Sequence, residues 1–325
     1  MNRNRLEAAA KQGIISSDQV EQLLIFLESE ESSSEQSHSE DQMKFVRGFG
    51  DVFITLGIVF VAVASAQIHM ISLLNIIPLL LLIGMSEWLV RGRRLVLPGI
   101  ALLISSLYFA SQLIEISMAE YGLLNLLLLT TLAGLFYWRY KIPFTLLPIA
   151  LGCIAMISVM IEIDLLHAQY IFIIYGLSVF AAAIWFDARD INRKTRFSDA
   201  AFWLHLLAAP LVVHGVMVSL LASTGPLPFK ELLIIAFFIV FFLVALYVDR
   251  RALLVSSLSY AIYAVIALSK SNAFAIENLT LLIFAAFGAF IIFFGTYWYR
   301  IRTVIFAKTG GFALSSYVPP FIDRS

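Results

Sequence analysis

Charge is scarce in this sequence. Lys, Arg, Asp and Glu make up 14% of its 325 residues, against about 25% in an ordinary soluble domain. The 22 basic and 22 acidic residues cancel, which leaves no electrostatic case for a nucleic-acid partner. Cys153 is the single cysteine, so an internal disulfide and metal-type cysteine spacing are both excluded. A cleavable leader is not expected, because residues 1–43 are polar and the first apolar block lies too far in. Terminal lipidation patterns are missing. So are a nucleophile–base pair, an H-E-x-x-H, a P-loop and a G-x-G-x-x-G, and we expect no enzyme, no cofactor and no metal site. No apolar block carries Asp or Glu at its centre, which argues against a proton pump or ion-coupled carrier built on buried carboxylates.

Apolar residues are what the chain has in abundance. They account for 61% of it, and the mean hydropathy is +0.90. They come in long blocks rather than in stripes. A block of about 20 residues crosses a hydrocarbon core as a helix. Lipid offers no partner to a free amide, and a barrel would need alternating polar residues, so the blocks predict helices. We read ten: 51–68, 71–90, 95–114, 121–138, 142–161, 169–186, 200–221, 232–248, 252–268 and 279–298. The expected fold is an all-α polytopic bundle over residues 44–299, with a tail over 300–325.

Two short regions precede the bundle. Over residues 1–27 a cytoplasmic helical element is expected. Ser16-x-x-Gln19 is a capping-box pattern, and Val20, Leu23, Leu24 and Leu27 form one apolar stripe behind it. Such a stripe must dock on something: the protein's own loops, another copy or a partner protein. The acidic, serine-rich stretch over 28–43 reads as a disordered linker.

Basic residues set the orientation. With the N-terminus inside, twenty of the 22 Lys and Arg fall in inside segments, and only Lys230 and Lys270 fall outside. Cytoplasmic loops carry that excess, which places both termini in the cytoplasm. Trp88, Trp138, Trp185 and Trp298 all lie near inside basic loops and read as an interfacial aromatic belt. Glu87 stands four residues before Arg91 and suggests an interfacial ion pair. The charges of Asp187, Arg189, Asp190, Arg193 and Arg196, and those of Asp249-Arg250-Arg251, read as solvated loop surface.

The candidate polar site inside the membrane is His205, Pro210 and His214 in span seven, with Asn75 and Asn125 as weaker additions. Ser198 or Asp199 can cap that span. Pro210 should kink it by removing an amide and displacing the Leu206 carbonyl. His205 and His214 are nine positions apart, close to opposite faces, and cannot share one metal. His205 is expected to bond a neighbouring helix, or alternatively to line a polar pocket. Ala208, Ala209, Val212 and Ser219 lie on the His205 side, where small residues let a helix approach. Asn75, Gln112 and Asn125 read as packing hydrogen bonds. Pro78 and Pro148 fall inside spans two and five.

Gly13-Ile14-Ile15-Ser16-x-x-Gln19, followed by an amphipathic helix and a membrane region, resembles the start of a bacterial family of multi-pass membrane proteins, the uncharacterised domain class 2157. The stretch from Ser198 to Pro210 is similar to a segment of bacterial members of the same broad group. Where that family often has Trp just after the first span, this chain has Ala66-Gln67-Ile68-His69. The resemblance implies a bacterial inner-membrane protein and supplies no activity. Two functions fit the residues: a structural or regulatory membrane protein acting through partners, or a small-molecule transporter with two inverted five-helix halves, as in drug/metabolite transporters. Oligomeric state stays open.

Overall fold

The structure is a computed structural model. It describes residues 12, 14, 16, 19–24, 46, 48–67, 72–118, 122–161, 168–191, 193, 195–222, 230–251, 253–254, 279–306 and 317–319. The expected linker, Leu27, most of the expected ninth span and most of the tail lie outside these residues.

All regular structure among the described residues is helical, and no strand occurs there. The long helices are α1 Phe49–Gln67, α2 Ile76–Ser86, α3 Val96–Met118, α4 Gly122–Tyr140, α5 Leu146–Met160, α6 Ala168–Ala188, α7 Arg196–Ala222, α8 Lys230–Val248 and α9 Leu279–Phe306. A 3₁₀ turn, Ser72–Asn75, leads into α2, and another, Pro143–Thr145, leads into α5. Six helices are long and apolar enough to cross a membrane: α1, α3, α4, α5 with its 3₁₀ entry, α6 and α7. Large apolar side chains stand outward on them and on α2 and α9, including Phe60, Leu80 and Ile292. A water-soluble bundle does not present that much contiguous apolar surface. This is an all-α membrane protein.

Prolines sit where they cost the helices little. Pro78, Pro98 and Pro148 are each the third residue of α2, α3 and α5. The first four amides of a helix have no intrahelical acceptor, so a missing N–H there loses nothing. Pro210 is different, because it lies inside α7, which continues past it as one helix of 27 residues. The backbone break falls elsewhere, at Tyr297 in α9 (φ −103°, ψ 15°). Several hydroxyls within the apolar helices are satisfied locally. Thr55, Ser86, Thr130, Ser158, Ser219 and Thr303 each donate to the carbonyl four residues back.

α6 and α7 make the most extensive pair, and glycine explains why. A Cβ on Gly215 of α7 would stand 2.7 Å from the Gln169 carbonyl oxygen, and one on Gly176 of α6 would stand 3.0 Å from the Val212 nitrogen. Two backbones can approach this closely only without side chains at those points. Ala183 of α6 and Ala208 of α7 are buried in one cluster between these two helices.

One local feature recurs at the basic end. The turns after α2, α4, α6 and α8 each hold a charged residue with positive φ: Arg94 (56°), Lys141 (54°), Arg193 (54°) and Asp249 (60°). After α8 the geometry is a Schellman closure, with the Arg250 amide donating to the Ala245 carbonyl at 3.0 Å. Glycine is the usual occupant of such a position, since a side chain there costs about 1–2 kcal/mol. α2 reaches its turn through a π-helical segment, Glu87–Gly92.

Candidate functional site

The turns at the basic end bring together charges that are far apart in sequence. Asp187, next to last in α6, is buried, as are His205 of α7 and Arg250 just after α8. His205 is 0% exposed. Its Nε2 lies 2.9 Å from Asp187 Oδ2. Arg250 Nε donates to the same oxygen at 3.2 Å, and its Nη2 donates to Asp187 Oδ1. Arg250 Nη2 also reaches the Ser198 carbonyl (3.2 Å) and hydroxyl (3.1 Å) at the start of α7. A carboxylate held by a guanidinium only accepts, so Nε2 is the protonated nitrogen of His205. Its Nδ1 is buried without a hydrogen-bond partner among the described residues. The Phe180 ring packs edge-on against the imidazole, centroids 5.2 Å apart.

A second lock stands beside the first. Arg193 Nη2 donates to the Asp249 carbonyl oxygen at 2.6 Å, and Arg193 Nη1 lies 3.2 Å from Asp249 Oδ2. Trp298 Nε1 donates to Asp249 Oδ1 at 2.7 Å. The backbone break at Tyr297 immediately precedes this indole in α9. One turn on, Arg302 Nε donates to the Leu246 carbonyl at 3.0 Å, and its Nη2 donates to Tyr247 (3.1 Å) and Pro319 (2.6 Å). A cation on the last carbonyls of α8 complements the negative end of that helix. Two buried acids thus face two buried arginines, and the third arginine is held by carbonyls.

Two sequence expectations are corrected here. Asp187, Asp190, Arg193, Asp249 and Arg250 are buried; they are not a solvated loop surface. Arg189, Arg196 and Arg251 remain exposed. Trp298 is 1% exposed and belongs to the network rather than to an interfacial belt, whereas Trp88, Trp138 and Trp185 do stand outward. Composition conceals this, because a charged run looks the same whether water or a partner 60 residues away faces it. One signal was present: Trp185-Phe186-Asp187 and Tyr247-Val248-Asp249 both put an acid at a helix C-terminus, where the macrodipole opposes it unless a cation is added.

Glu87 forms a more exposed cluster at the same end. It does meet Arg91, at 3.5 Å, but its principal partner is Arg139 of α4, at 2.7 and 3.0 Å, with the Tyr140 hydroxyl donating at 3.1 Å.

The five sequence candidates do not gather in one place. His205 lies ten residues into α7, about 13 Å along it from the basic end. His214 is exposed, its ring 5.8 Å from that of Phe172. Pro210 is half-buried between them. Asn75 and Asn125 lie at the N-terminal ends of α2 and α4, whose C-terminal ends meet through Glu87 and Arg139; both asparagines are therefore at the opposite end of the bundle. Gln112 is half-buried in α3.

No family model, curated protein or solved structure matches this chain.

Among the described residues no three metal-ligating side chains converge. What the network can do is mechanical. It fixes the ends of α6, α7, α8 and α9 to one another through groups that cannot be withdrawn singly.

Proposed function

We propose that this chain is a structural or regulatory protein of the bacterial inner membrane, with both termini cytoplasmic, which acts by holding a partner protein. The observation that carries this reading is the closure of Asp187, His205 and Arg250 on one another. The one histidine of the candidate set that is buried spends its ring nitrogen on a neighbouring helix rather than on a solute path. The charge pattern, with 20 of the 22 Lys and Arg in the segments read as inside, supports the cytoplasmic placement.

The N-terminal helix supplies the holding surface. Its capping box is formed: the Ser16 amide donates to Gln19 Oε1 at 2.9 Å, and the Gln19 amide donates to Ser16 Oγ at 3.2 Å. Of its stripe, Val20 is buried, Leu24 half-buried and Leu23 exposed. The proposal includes no catalytic step. The test is co-purification from native membranes with the full chain and with a chain lacking residues 1–43. Loss of a specific partner on truncation supports the reading, and retention of every partner sinks it.

A transporter with two inverted five-helix halves is the second reading. What favours it is that the buried ion pairs concentrate at one end of the bundle, where a closed inner gate would stand. Solute flux in proteoliposomes, with His205→Ala as control, separates the two.

A further inference from the structure

A cavity of about 190 Å³ opens at the basic end, away from the buried locks. Three separate elements line it. The turn after α2 gives Val90, Arg94, Leu95 and Val96; the turn after α4 gives Tyr140, Lys141, Ile142 and Pro143; the start of α7 gives Arg196, Asp199 and Trp203. Three cations therefore face one carboxylate, on walls that are otherwise apolar or aromatic. The cavity has room for a phosphate ester.

Arg94 and Lys141 both occupy left-handed positions (φ 56° and 54°), where glycine would remove the backbone cost. At Asp249 the same cost is offset by a buried ion pair. Arg94 is exposed and makes no hydrogen bond or ion pair among the described residues. The Lys141 ammonium rests 5.4 Å over the Tyr137 ring. Arg196 donates to the Lys141 carbonyl at 3.3 Å, which joins two of the three walls. Arg196 also opens α7, so the positive end of that helix dipole adds to the field of the side chains. Exposed Trp88 and Trp138, near the same two turns, mark the level of an interface.

We propose that this cavity binds the phosphate of an anionic phospholipid headgroup, with Arg94, Lys141 and Arg196 as its cationic partners and the apolar wall taking the glycerol end. Basic pockets between membrane helices suit such headgroups. The inference is independent of whether the protein holds a partner or carries a solute.

The test uses the purified full-length protein and its double variant Arg94→Asn/Lys141→Asn. Asparagine tolerates the left-handed conformation, so the charges go while the turns stay. Native mass spectrometry follows titration with short-chain phosphatidylglycerol, with short-chain phosphatidylcholine and with inorganic phosphate. The expected result is saturable phosphatidylglycerol binding that weakens about tenfold or more in the variant, while phosphatidylcholine stays weak in both proteins and the unfolding midpoint is unchanged. Equal phosphatidylglycerol binding by both proteins overturns the proposal, as does equal binding of the two lipids by the wild type. Inorganic phosphate binding that the variant loses, without lipid discrimination, assigns the cavity to a free anion and overturns the lipid source. A variant with a lowered midpoint is replaced by Arg94→Gln alone, read against the same criteria.

Discussion

Arg193 and Asp249 both adopt left-handed backbone conformations, and they hold each other, guanidinium to carboxylate and guanidinium to carbonyl. Each stands in a turn at the basic end of the bundle, one before α7 and one after α8. The backbone cost at each residue is offset by a contact that only a side chain can make.

Asp249→Gly is the direct test of that balance. Glycine would recover about 1–2 kcal/mol of backbone strain. It would also remove the carboxylate that faces Arg193 and accepts from Trp298, although the carbonyl at 249 stays, and removing one partner of a buried pair costs about 3–5 kcal/mol. The loss exceeds the gain, so thermal unfolding in detergent is expected at a lower midpoint. Lys141→Gly provides the contrast. Its side chain is exposed, and the carbonyl that Arg196 uses is retained. An unchanged or slightly raised midpoint is expected there. A stabilised Asp249→Gly protein would show that the pair contributes nothing net.

Within the first lock the expected order is Asp187→Asn worse than His205→Ala. Asp187→Asn strips the counter-charge from buried Arg250, at about 3–5 kcal/mol. His205→Ala removes one hydrogen bond and leaves Asp187 paired with Arg250, at about 1–3 kcal/mol before any cavity term. Chemical denaturation of the two variants side by side reads the order. Equal losses would mean that Arg250 is satisfied without Asp187.

Glu87→Gln should do much less than Asp187→Asn. Glu87 meets Arg139 and Arg91 at a half-open surface, with 41% of its side chain exposed. Water screens such pairs. The midpoint shift is expected to be small and to shrink further in high salt. A shift as large as that of Asp187→Asn would contradict the contrast between the two clusters.

Gly215→Ala tests the α6–α7 approach. The added Cβ would stand 2.7 Å from the Gln169 carbonyl oxygen and 3.1 Å from the Ile173 nitrogen, both backbone atoms that move only if a helix moves. Overpacking of this kind costs about 1–3 kcal/mol. Gly57→Ala and Gly288→Ala place a methyl in open space. They should be neutral or gain up to about 1 kcal/mol from helix propensity. Unfolding of the three variants in one detergent distinguishes a contact effect from a general intolerance of change at glycine.

Much of the architecture could be read from composition and spacing alone. The length of each apolar block is dictated by the thickness of the hydrocarbon core and its helical form by the backbone's need for internal hydrogen bonds there, and expected spans one to eight and ten each coincide with a described helix. The capping box of Ser16 and Gln19 is a contact over three residues, within reach of local pattern. The small residues beside His205 foretold a close helix, and α6 is there. Local sequence could not say which charges are buried. Asp187 meets Arg250 across 63 positions and Arg193 meets Asp249 across 56. Burial of an ion depends on a partner that arrives only when four helix ends converge. The same holds for Trp298, whose indole could equally have faced an interface, and for the cavity, whose three cations come from turns about 50 residues apart. Tertiary structure decided these because desolvation and pairing are properties of the assembled bundle, whereas helix length and helix capping are properties of the chain.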